Sequence, residues 1–149
     1  MKDFNGKTAV VTGAASGIGK ALSMAFASRG ANVVMADVEA ASLEAARSEV
    51  AVTGAEAIGV PTDVTKEDQV EALADTAWER FGAVHVVCNN AGVLIRGNML
   101  EADRKDWDLI LGVNLWGVIN GVRAFVPRMR DSGEEGHIVN TASEAGHFA

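Results

Sequence analysis

The stretch TAVVTGAASGIGK, Thr8 to Lys20, decides the fold. Thr8 to Thr12 is an apolar, β-branched run with the composition of a strand. It passes directly into TGAASGIG, Thr12 to Gly19, after which the spacing becomes helical. Gly13, Gly17 and Gly19 stand where a strand must turn tightly into a helix. They can take φ > 0, let backbone approach a ligand and allow close packing of the helix. The helix that starts around Ser16, Gly17 and Ile18 would offer free N–H groups and the positive end of its dipole to a diphosphate. Three glycines in a turn also fit a plain tight turn, so the context has to decide.

Outward from this stretch the alternation repeats. Apolar, β-branched runs recur at Asn32 to Ala36, Ala57 to Pro61, Val84 to Cys88 and His137 to Asn140. Between them, helical spacing covers Ile18 to Arg29, Glu39 to Val52, Lys66 to Phe81 and Asp106 to Met129. Thr65, followed by Glu67 and Asp68, reads as an N-cap with an acidic first turn. Strands that alternate with helices predict an α/β fold: a doubly wound parallel sheet with helices on both faces, the Rossmann architecture. No repeat, low-complexity stretch or linker divides the chain, so residues 1–149 read as one dinucleotide-binding domain.

Composition narrows the function. With 48% apolar and 22% charged residues the chain is of ordinary globular type, neither disordered nor fibrous. The net charge of −7 and the scattered lysines and arginines argue against nucleic acid as a partner. A single cysteine, Cys88, excludes an intrachain disulfide and reads as a small core residue. No apolar segment precedes the first strand, so a cytoplasmic location is expected. Leu109 to Val122 is uncharged but covers only 14 positions, interrupted by Asn114, Asn120 and three glycines. That is short of the roughly 20 residues a bilayer needs, so no membrane partner is expected. His85 and His137 have no metal-ligand spacing, and no metal is expected.

In doubly wound sheets ligands bind beyond the carboxyl ends of the strands. The second run leads into Asp37, 18 residues past Gly19. A carboxylate there can accept hydrogen bonds from both hydroxyls of an adenosine ribose and would repel a 2′-phosphate. Neither Ser16 nor Val38 is a cation, so NAD is expected over NADP. The other reading of Asp37 is a solvated loop residue.

The third run leads into TDV, Thr62 to Val64, and the fourth into NNAG, Asn89 to Gly92. With GVNL around Asn114 and IVNTAS ending on Ser143, the chain resembles the short-chain dehydrogenase/reductase family across nearly all of its length. TGAASGIG matches that family's TGxxxGxG. The resemblance implies hydride transfer between a nicotinamide cofactor and an alcohol or carbonyl substrate. It places Asp37 on the adenosine ribose, Asp63 and Val64 at the adenine, and Asn90, Ala91 and Gly92 along the nicotinamide-side ribose. It makes Ser143 the donor to the substrate oxygen and Asn114 the holder of a water in a proton relay.

The sequence departs from the pattern in one respect. The family's serine is followed about a dozen residues later by a general acid/base tyrosine and then by a lysine that lowers its pKa from about 10. This chain contains no tyrosine. The expectation is that it represents the first half or so of such an enzyme, lacks the acid/base pair and would not be active alone. A nucleotide-binding module without turnover is the alternative. A methyltransferase or sugar-nucleotide epimerase would not explain NNAG and IVNTAS together. A hydrolase triad of Ser143 with His147 lacks the glycine elbow such serines sit on, so His147 and Phe148 fit a substrate pocket better.

The helix at Asp106 to Met129 carries apolar residues all around its axis, which calls for cover on two sides. The family's corresponding helix packs on a partner subunit, so a homo-oligomer, dimer or tetramer, is expected.

Overall fold

A computed structural model describes Met1, residues 3–95 and residues 100–144. Five strands form one sheet: β1 (Thr8–Thr12), β2 (Asn32–Asp37), β3 (Ala57–Pro61), β4 (Val86–Asn89) and β5 (His137–Asn140). Their order is β3-β2-β1-β4-β5 and every pairing is parallel. The order reverses between β1 and β4, which places the switch point of the doubly wound sheet beside the glycine turn.

Period-2 alternation along the strands feeds two cores, one per face. Val10, Val34 and Val87 face α3 (Glu67–Phe81) and α5 (Gly117–Ser132), where Val70, Leu73 and Phe125 close the layer. Val11, Val33, Met35 and Cys88 face α1 (Gly17–Ala27) and α2 (Ala40–Ala51), where Leu43 and Val50 do the same. Cys88 is buried, as its reading as a core residue required, and burial pushes its thiol up to about 11. Trp78 also lies where the helical pattern put it, its ring centroid 5.8 Å from that of Phe125. Arg128 stacks beside Trp78 and reaches Asp75 at 2.7 Å and Glu71 at 2.9 Å, which ties α5 to α3.

Several boundaries differ from the sequence expectation. β2 extends to Asp37, because Asp37 still pairs with Pro61 of β3. β4 begins at Val86 instead of Val84, where its register with Ala9 of β1 starts, and runs to Asn89. α1 ends at Ala27, not Arg29. Thr65 does not cap α3. Lys66 occupies the N-cap position without a side-chain bond, and the chain is turned instead by Asp63, whose Oδ1 accepts the Thr65 N–H at 2.9 Å. The helix expected over Asp106 to Met129 is longer and interrupted. α4 (Arg104–Leu111) opens on a capping box of Asp103 and Asp106, a π-helical turn follows at Gly112–Trp116, and α5 completes it.

Taken together, Arg104–Ser132 is 29 residues long with a window of mean hydropathy 1.6, enough by length and composition to cross a membrane. The 14-residue count of uncharged positions therefore understates it. Its inner side is nevertheless seated on the sheet: Gly117, Asn120, Gly121, Ala124, Phe125 and Met129 are buried. Trp107, Leu111, Leu115 and Trp116 remain exposed.

At the opposite end of the sheet from the glycine turn, His85 is buried just before β4. Its Nδ1 accepts the Thr8 N–H at 3.0 Å, which assigns the ring proton to Nε2, 2.6 Å from Glu134 Oε2. The His85 bond first, and Lys7 after it, hold the Glu134 carboxyl below the usual carboxylate range. A lowered pKa in the folded state stabilises above the unfolded-state value, and that stability is lost as pH falls through the lowered one. The intact protein should therefore lose more stability between about pH 6 and pH 3 than its Glu134→Gln variant, read from urea midpoints. Equal losses would remove Glu134 from the acid response.

Candidate functional site

The loops after β1, β2, β3 and β4 enclose a cavity of about 290 Å³ at the carboxyl end of the sheet. Gly13, Asp37, Asp63, Val64, Ala91 and Gly92 line it, so six residues from four separate motifs meet in one place. Thr62, Thr65 and Val93 also line it, as do Leu109 and Val113 from the long helix. None of these five was named as a site residue from the sequence. The first three are immediate neighbours of motif residues. Leu109 and Val113 have the i, i+4 spacing of one helix face, but in a helix apolar all around that signal is lost.

The glycine turn is built on contact with the turn after β4. Gly13 has φ +66°, and a Cβ on it would stand 2.8 Å from the Ala91 Cα. A Cβ on Gly19 would overlap the Gly13 carbonyl. Gly17 is different: its φ is +51° and a Cβ there meets nothing within 4 Å, so its backbone borders open space. Ser16 holds the N-cap position of α1 without a side-chain bond, so it leaves the first-turn N–H groups uncapped by its hydroxyl. Ile18 is 67% exposed on the same rim. Together these features form a shallow, donor-rich cradle beside the cavity.

Thr12 joins the two turns. Its hydroxyl accepts the N–H groups of Asn90 and Ala91, each at 3.0 Å, and donates to the Cys88 carbonyl at 3.3 Å. The Asn90 amide donates back to the Thr12 carbonyl at 3.0 Å. Asp37 is oriented by two backbone donors, Ala15 N–H at 3.0 Å and Glu39 N–H at 3.1 Å. Its carboxylate is thus fixed at the cavity wall, with Val38 beside it.

Asn114 lies in the π-helical turn. Its side chain is bound at both ends to one residue: Oδ1 accepts the Val93 N–H at 2.8 Å and Nδ2 donates to the Val93 carbonyl at 2.9 Å. This anchors the chain leaving NNAG to the long helix. Asn120 does the same for the chain leaving β3, donating to the Val64 carbonyl at 2.9 Å. Gly117 and Gly121 allow the approach, since a Cβ on Gly117 would lie 2.7 Å from Val64 Cγ2 and one on Gly121 would overlap Asn89 Oδ1.

Ser143 is exposed, three residues beyond the end of β5, the strand next to β4. His147 and Phe148 lie outside the described residues, as do Arg96 to Met99. Among the described residues, no group of three His, Cys, Asp or Glu side chains is placed to hold a metal ion.

The family model described as short chain dehydrogenase matches residues 7–149. A curated relative, 1-deoxy-11-beta-hydroxypentalenate dehydrogenase of Streptomyces arenae, is 47% identical over 139 residues, which cover 92% of this chain and 49% of that protein. A short chain dehydrogenase/reductase from Burkholderia phymatum, solved in complex with NAD, superposes with a TM-score of 0.97 at 48% identity, covering 100% of this chain and 53% of that one. The apo form of LigD from Sphingobium sp. strain SYK-6 gives 0.95 at 39% identity, covering 99% and 63%. The chain spans about half the length of the curated relatives it matches.

The two kinds of glycine should respond differently to a methyl group. Gly19→Ala forces backbone against backbone and should cost about 3 kcal/mol or more of stability. Gly17→Ala has room and should cost only the left-handed strain of about 1–2 kcal/mol. Urea titration of both variants of the intact protein checks the order, and equal losses would contradict the contact between the two turns.

Proposed function

The chain belongs to the short chain dehydrogenase family, and on that basis we propose that the intact protein is an NAD-dependent oxidoreductase interconverting an alcohol and a carbonyl. The observation that carries the choice of NAD is the Asp37 carboxylate, held by Ala15 and Glu39 at the cavity wall with an apolar Val38 beside it. A carboxylate so fixed accepts the two ribose hydroxyls and opposes a 2′-phosphate. The Burkholderia relative with bound NAD supports the same reading.

The residues fit such a ligand. The cradle of Gly13, Ser16, Gly17, Ile18 and Gly19 suits the diphosphate, because its backbone is accessible and the helix end carries positive potential. Asp63 and Val64 border the adenine end of the cavity. Asn90, Ala91 and Gly92 run along the nicotinamide-side ribose. The nicotinamide supplies the hydride acceptor or donor. Ser143 donates a hydrogen bond to the substrate oxygen and stabilises the charge that develops there. Asn114, its side chain already committed to Val93, orients a water for proton transfer.

The acid/base pair that the family pattern requires would have to come from outside these 149 residues, which hold no tyrosine. By themselves they support nucleotide binding rather than turnover. The bare side of the long helix, with Trp107, Leu111, Leu115 and Trp116, is read as a subunit contact in a homo-oligomer. Its seating on the sheet through α5 favours a cytoplasmic protein with no membrane partner, and the charge of −7 disfavours nucleic acid.

Titration of the intact protein with NAD and NADP tests the cofactor reading. NAD should bind at least about tenfold tighter, a difference of about 1.4 kcal/mol, and Asp37→Ala should narrow the gap. Equal or tighter NADP binding would overturn it. Once a substrate is in hand, Ser143→Ala should lower kcat by about 10²–10³ with NAD affinity unchanged.

A further inference from the structure

β4 and β5 are joined beyond their backbone ladder by a polar seam, two of whose members, Asn140 and Thr141, have no part in the dehydrogenase reading. Asn89 pairs with Asn140 in register, and its Nδ2 donates to Asn140 Oδ1 at 2.8 Å. One residue on, the Thr141 N–H donates to the Asn89 carbonyl at 3.0 Å and the Thr141 hydroxyl reaches Asn90 Oδ1 at 3.2 Å.

The Asn90 amide is therefore held from two sides. A backbone carbonyl only accepts, so the Asn90 group facing the Thr12 carbonyl must be the amide nitrogen, and the oxygen is turned toward Thr141. Its nitrogen also lies where it would meet a Cβ on Gly13 or Gly19, at 3.2 and 2.8 Å. One side chain thus touches the glycine turn at one end and the start of the Ser143 loop at the other. Ser143 is two residues past Thr141.

We propose that Thr141 is a positioning residue: its hydroxyl fixes the Asn90 amide and so couples the Ser143 loop to the turn that receives the dinucleotide. The proposal rests on the dinucleotide reading for its functional meaning, but the coupling itself is a property of the free protein. Loss of the hydroxyl frees Asn90 Oδ1, loosens the amide against the Thr12 carbonyl, and lets the β5 end move independently of the glycine turn. Thr141→Val removes the donor at nearly constant shape, and Thr141→Ser keeps it.

Two measurements on the intact protein separate the possibilities. Hydrogen exchange without ligand should be faster in Thr141→Val than in the unsubstituted protein at Asn90, Ala91 and the residues after Asn140, with Thr141→Ser unchanged. NADH titration, read by its fluorescence, should show affinity reduced about three- to tenfold in Thr141→Val, the range of one neutral hydrogen bond, and restored within about twofold in Thr141→Ser. Unchanged exchange and unchanged NADH affinity in Thr141→Val would overturn the proposal. So would equal losses in both variants, which indicate a packing role for the methyl group. If the unsubstituted protein binds neither NADH nor NADPH, the dinucleotide reading fails while the exchange result still decides the coupling.

Discussion

The structure depends on one close contact: the glycine turn after β1 pressed against the turn after β4, with no room between them for a single side-chain carbon. Gly13 and Ala91 meet backbone to backbone, and Gly19 closes over Gly13 from the helix side. A contact this tight has to satisfy its own polar groups, because water cannot enter to do it. Thr12 fills that role: one hydroxyl accepts two N–H groups and donates to one carbonyl. β1 and β4 are neighbours across the reversal of strand order, so the contact also sets where the crevice opens.

Most of the framework was legible in the sequence because it rests on strong local signals. Strands are marked by apolar, β-branched runs, and all five were visible within two residues of their final limits, including β5, which is largely exposed. The glycine turn and the residues at the strand ends were visible for a related reason: each stands where a regular pattern stops abruptly. The geometry then brought six of them around one cavity. What escaped was of another kind. Asp63 replaced Thr65 at the head of α3 because a side chain three residues before the cap position can turn the chain as well as the cap itself, and sequence spacing does not rank the two. The pairing of His85 with Thr8 spans 77 positions. Partners so distant in the chain leave no periodic trace. Thr141 and Asn140 were hidden for the same reason, since their partners lie on another strand.

The long helix shows how two demands are met by one element. Its α4 portion supplies Leu109 and its π-helical turn Val113 to the cavity, while its α5 portion lays Gly117, Gly121 and Phe125 on the sheet. These positions recur every fourth residue, a spacing that drifts steadily around an uninterrupted α-helix. The π-helical turn at Gly112–Trp116 absorbs the drift by taking one more residue per turn, and Asn114 stands within it, tied to Val93.

That turn gives the helix a fixed frame, much as codons give one to a message. Removing one residue between Gly112 and Trp116 would close the segment into a continuous α-helix with α5 kept near its present face, because the extra residue of the turn is the one taken out. Adding one residue within α5 would instead rotate every position after it by about 100°. An insertion in α5 ahead of Gly121 would take it from Asn89 and carry a larger neighbour into a gap that has no room even for a methyl group. Point substitutions on the outer side of this helix leave the frame intact, and the turn around Asn114 can lose its extra residue, whereas a residue inserted after Trp116 shifts the frame of everything beyond it. α5 is therefore sensitive to its length more than to its composition, and a one-residue change in chain length is absorbed at the π-helical turn or outside the helix, before Asp103 or after Ser132.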